Sequence, residues 1–129
     1  MRLLLDTNIL IPFFEDRLEN LPAPIRAGLN RQDANLYASA VSLWEIAIKV
    51  RLGKLPLKIA LSDLPLMVDR LQLDPLLITF DHVLADLANP PPTRDPFDRL
   101  LLAQCQVENM RLVTIDEALE THPLAWREP

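Results

Sequence analysis

Five carboxylates stand where apolar segments of this chain begin or end. Asp6 closes RLLLD, Glu45 lies early in SLWEIAIK, Asp95 and Asp98 open RDPFDRLLLAQ, and Asp116 closes RLVTID. Each acid has a local use. Asp95 before Pro96 is a helix N-cap with proline at the first helical position, and Asp98 then adds a first-turn charge that suits the helix dipole. Ser42 and Glu45 match the S-x-x-E capping box, and Asp6 and Asp116 could each start a helix. A cap contributes only about 1 kcal/mol. Gathered at one place, the same acids would raise one another's pKa unless a cation neutralised them. A hard ion such as magnesium or manganese takes carboxylate and water oxygens, and an acid site without histidine suits phosphodiester hydrolysis. On the residues alone, cap and ligand both remain open.

The elements around these acids decide whether they can meet. Arg2 to Leu5 reads as a buried strand, Ile9 to Glu15 as a helix with Pro12 in its first turn, and Leu21 to Asn30 as another helix. Leu36 to Val41 reads as a second strand, followed by a helix from Ser42 that ends at Gly53. A helix over Leu64 to Leu73 stops at Asp74 and Pro75, Leu77 to Phe80 reads as a third strand, and a helix follows from His82 to Leu87. NPPPT is a stiff connector to the helix that Asp95 opens. Arg111 to Ile115 is a last strand, and the tail from Glu117 has no clear pattern. Short apolar strands alternating with amphipathic helices predict an α/β domain with a mostly parallel sheet. Ligands bind such sheets beyond the carboxyl ends of the strands, the edge to which Asp6 and Asp116 belong.

The 129 residues suit a single domain spanning 1–129. No apolar run reaches the length of a membrane span, and MRLLLDTNIL lacks the pattern of a secretion signal, so a cytoplasmic protein is expected. The one cysteine, Cys105, sits among apolar helix positions as a core residue. His82 and His122 are too few and too far apart in sequence for a structural zinc site. A net charge of −5 argues against a surface that attracts nucleic acid everywhere. From Ile46 to Ser62, however, Lys49, Arg51, Lys54 and Lys58 occur with no acid among them. They suit a helix C-terminus and ordinary solvation, or a phosphate track toward Glu45 to which Arg94 and Arg99 add charge. Aromatic residues are few, and Phe13, Phe14, Trp44 and Phe97 read as core or interface.

LLLDTNILI, SLWEIAIK, RDPFDRLLLAQ and LVTID, in this order and at these separations, resemble the PIN-domain nucleases. They look most like the VapC-type ribonuclease toxins of type II toxin–antitoxin systems. The resemblance covers nearly the whole chain, and the first and third motifs are its most specific parts. It implies a PIN-like three-layer α/β/α sandwich with a mostly parallel central sheet. It also implies a Mg2+- or Mn2+-dependent endoribonuclease that hydrolyses RNA phosphodiester bonds with metal-activated water. By motif position Asp6, Glu45, Asp98 and Asp116 are the catalytic, metal-holding acids. Asp95 is a further pocket acid or only the helix cap, and Asn8 and Thr114 are polar supports. The implied partners are a VapB-like antitoxin, a second copy in a homodimer, and an RNA such as tRNA or rRNA. Pro92 and Thr93 stand where relatives often show histidine, and Leu119 where an aromatic residue is common. A rival reading is a non-enzymatic acidic α/β binding module. A phosphotransfer aspartate is disfavoured, since the first strand ends in D-T-N and no lysine follows RLVTID.

Overall fold

In the computed structural model, which describes residues 1–129, β1 (Arg2–Leu5) buries Leu3, Leu4 and Leu5 completely. A strand apolar at consecutive positions must be covered on both faces, as a central strand of a parallel sheet is. β1 pairs in parallel with β2 (Asn35–Ser39) on one side and with β4 (Arg111–Val113) on the other. β3 (Asp74–Leu76) extends the sheet beyond β2, giving the order β3-β2-β1-β4. Successive side chains of a strand point to opposite faces. Leu3 and Leu5 therefore join one core with Ile9, Leu10 and Phe14, while Leu4 joins another with Leu101, Leu102 and Leu112.

Helices fill both sides. α1 (Thr7–Phe14), α2 (Ala23–Leu29) and α4 (Leu64–Arg70) supply the first core, and α6 (Pro96–Glu108) supplies the second with α5 (Phe80–Leu84) packed against it. α3 (Ala40–Arg51) straddles the two, sending Ile46 to the first and Val41 to the second. The architecture is the three-layer α/β/α sandwich expected, with a sheet that is parallel throughout.

Several boundaries differ from the sequence pattern. The third strand is Asp74–Leu76 rather than Leu77 to Phe80. Pro75 reads as a terminator, but a proline is tolerated on an edge strand, where its missing N–H interrupts no ladder on the open side. Leu77 and Phe80 are instead exposed, Thr79 starts α5 by accepting the His82 N–H, and the helix ends at Leu84 rather than Leu87, where Ala85 turns extended. β2 stops at Ser39 because Ser39 Oγ accepts the Val41 N–H and starts α3 there. Ser42 thus lies inside the helix, and the S-x-x-E spacing is not a capping box. α1 begins at Thr7, which moves Pro12 into the second turn and leaves the Asn8 carbonyl with no N–H four residues on. β4 ends at Val113, and the tail runs beside it, the Trp126 N–H donating to Leu112 O at 2.8 Å.

Candidate active site

β2 and β3 lie to one side of β1 and β4 to the other, so the chain's connections diverge between the carboxyl ends of β1 and β4. A crevice opens at such a switch point. Asp6 follows β1 into it, and Thr114 and Asp116 follow β4. The two strand ends are tied together there. The Asp6 N–H donates to Val113 O at 2.9 Å, and Thr114 Oγ1 donates to Asp6 Oδ2 at 2.6 Å. Thr114 Oγ1 also accepts the Asp116 N–H at 3.0 Å. The other oxygen of Asp6 caps α1 through the Thr7 N–H, 2.8 Å away.

Glu45 reaches the crevice from the middle of α3. Thr7 Oγ1 donates to Glu45 Oε1 at 2.7 Å and stands 3.0 Å from Ser42 Oγ. Lys49, one turn further along the helix, places Nζ 2.6 Å from Glu45 Oε2. Asp98 arrives from α6, whose start is set by Pro96 and by the Asp95 carboxylate accepting the Phe97 N–H at 2.9 Å. Asp98 itself accepts no hydrogen bond from the protein. Trp44 meets Phe97 edge to face, with ring centroids 5.6 Å apart, and so joins α3 to the first turn of α6.

Asp6, Glu45, Asp95, Asp98 and Asp116 line one pocket of about 190 Å³ together with Thr7, Asn8, Ile11 and Lys49. Burial pushes Asp6 up to about 6, against the hydrogen bonds from Thr114 and Thr7, and the Glu45 and Asp116 charges push it further. Burial pushes Asp98 up to about 7, with Asp95, Asp6, Asp116 and Glu45 adding to it. The hydrogen bond to Glu45 holds the Lys49 ammonium above its ordinary value. The pocket therefore resists its own negative charge.

No three of these acids, as they stand, converge closely enough to grip one ion. Repulsion among uncompensated carboxylates favours such spreading, and Glu45 is held back by Thr7 and Lys49. By type, the donors are all hard oxygens, which suits magnesium, manganese or calcium. Asn8 Oδ1 is buried with no hydrogen-bond partner, and its residue lines the same pocket. A buried amide oxygen ordinarily finds a donor, and a hydrated hard cation would supply one. The residues present fit such an ion.

Of the six basic residues singled out in the sequence, Lys49 alone lines the pocket. Arg51, Lys54 and Lys58 are exposed beyond it, with the Lys58 N–H fastened to Glu15 Oε2 at 3.1 Å. Arg94 is exposed, and Arg99 lines a separate groove with Pro96, Leu100 and Ala103. The histidines are engaged elsewhere, His82 with Glu108 at 2.9 Å and His122 with Asn89 O at 2.6 Å. Cys105 is fully buried, and burial pushes its thiol up to about 12. Sequence reasoning missed Thr7, whose hydroxyl donates to Glu45, and Ser42, whose hydroxyl meets that of Thr7. Their signal was present in D-T-N and in S-x-x-E, where the serine meets Thr7 rather than capping the helix end.

The PIN domain family matches residues 3–123, and the chain belongs to that family. PIN domains are typically metal-dependent nucleases. A comparison with curated proteins finds none that matches.

Proposed function

We propose that this chain, as one PIN domain over residues 1–129, is a metal-dependent endoribonuclease and the toxin of a VapBC-type pair. The observation that carries the reading is the gathering of five carboxylates at the switch-point crevice, two of them held well above the ordinary aspartate range. Asp6, Asp98 and Asp116 would hold Mg2+ or Mn2+, with Glu45 as the fourth acid and Asp95 chiefly the cap of α6. When bound, such an ion supplies charge neutralisation for a phosphodiester and activation of water. The protein's own part is positioning. Thr114 and the Thr7 N–H fix Asp6, the Thr7 hydroxyl, itself beside Ser42, fixes Glu45, and the buried Asn8 Oδ1 is left without a partner at the pocket's edge. Lys49, Arg51, Lys54 and Lys58 would lead an RNA backbone toward the pocket, with Arg94 and Arg99 contributing from the α6 side.

The partners follow the same reading: a tRNA or rRNA substrate, a VapB-like antitoxin that covers the pocket, and a second copy. Leu77, Phe80 and Leu84, each more than two thirds exposed around β3 and α5, support an association face. No helix is long and apolar enough to cross a membrane, and a cytoplasmic site of action accords with an RNA substrate.

The test incubates purified protein with labelled tRNA and rRNA in magnesium, manganese or chelator, beside Asp6→Ala and Asp98→Ala. Metal-dependent cleavage should fall in both variants by more than the roughly 10- to 100-fold typical of losing an outer-shell partner. Equal activity in all three proteins would sink the assignment. The spread of the carboxylates favours the second reading, a non-enzymatic acidic binding module. Calorimetry without divalent-ion binding would select it.

A further inference from the structure

Lys49 is the one cation among five acids in the pocket, and it is paired with only one of them. Its Nζ engages Glu45 Oε2 while Thr7 Oγ1 engages Oε1, so both oxygens of Glu45 already have partners. The opposite half of the pocket is arranged differently. Asp6 receives only uncharged donors, and Asp98 receives none from the protein. An exposed pair four residues apart on a helix contributes little, but this pair is not fully exposed. The Glu45 side chain is 8% exposed against 47% for Lys49, so loss of the lysine would strand a buried charge. The exposed stem of Lys49 leaves it replaceable without disturbing the core.

We propose that Lys49 takes the place of a second divalent ion, so that the pocket binds one ion beside Asp6, Asp98 and Asp116 while the tethered ammonium answers Glu45. This rests on the nuclease reading and fixes the ion count that it leaves open. Lys49 is then a positioning residue for the acid pocket as well as the first contact of a phosphate track. Removing its charge should create a second ion site, which a role limited to RNA contact or helix stability would not do.

Mn2+ titration of the RNA-free protein by calorimetry, with electron paramagnetic resonance to detect paired ions, tests this without reference to activity. The wild type and Lys49→Arg should bind one equivalent, and Lys49→Met and Lys49→Gln should bind two. Adding Glu45→Gln to Lys49→Met should return the count to one. Two equivalents in the wild type, or one in both Lys49→Met and Lys49→Gln, overturn this inference and leave the nuclease reading standing. No binding by any of the proteins overturns both.

Discussion

Asp6 and Asp98 face the same pocket but are held in opposite ways. Asp6 accepts the Thr7 N–H and the Thr114 hydroxyl, and it is immobilised where two strands end. Asp98 stands in the first turn of α6 with no donor from the protein. Both are pushed upward chiefly by burial, yet Asp98 goes further, to about 7 against about 6, because nothing offsets its four acidic neighbours. The difference teaches that the strand-end half supplies geometry and the helix-start half supplies unmet charge. One half has donors from the protein, and the other has none.

The widest expected contrast is in how stability responds to pH. The folded protein holds protons on Asp6 and Asp98 that an unfolded chain sheds near the ordinary value of 3.8. Stability of the ion-free protein should therefore fall as pH rises from about 4 to about 7, by roughly 2 kcal/mol or more, and level off above that. Asp98→Asn should lose the larger share of this slope and melt higher than wild type at pH 8 while losing cleavage. Thermal melts in chelator at pH 5 and pH 8 read this directly, and identical slopes in the two proteins would break the comparison.

A smaller effect is expected on the geometric half. Thr114→Val removes the donor to Asp6 and the acceptor of the Asp116 N–H, and should cost about 1–2 kcal/mol. Its cleavage rate should drop about 10- to 100-fold with the ion count unchanged. Urea denaturation beside a metal titration separates the two losses, and an unaffected midpoint would show that Asp6 does not depend on this hydroxyl. The smallest effect belongs to Trp44→Ala. The contact with Phe97 joins the elements carrying Glu45 and Asp98, but Trp44 is 57% exposed, so about 1 kcal/mol is expected. Its signature should be weaker ion binding without the pH slope of Asp98→Asn, measurable by calorimetry and melts on one preparation.

The fold was legible where packing leaves a periodic trace. RLLL and LLLAQC announce a strand covered on both faces and an apolar helix, and their alternation announces a parallel sheet. Asp95 with Pro96 announces the start of α6 to the residue, because capping is a local event. Legibility failed where a distant partner decides. Pro75 reads as a stop and becomes a strand residue because β3 lies at the sheet edge, which no local pattern reveals. Ser42 reads as a cap and becomes a neighbour of Thr7, across 35 residues. The acids were visible as an ordered set of motifs, whereas the pairing of Lys49 with Glu45 left only an E-x-x-x-K spacing that equally suits any exposed helix.

The Thr114–Asp6 hydrogen bond joins residues 108 apart in the chain, and this bears on when the pocket can form. A protein emerges N-terminus first and folds as its segments become available, so β1 appears early and waits for its neighbour on the far side. Contacts of such long sequence separation also form slowly. Until residues 111–116 have followed, Asp6 has neither its hydroxyl donor nor its second strand, and the crevice has only one wall. Translation itself thus delays the pocket, which is complete only when nearly all of this domain has emerged.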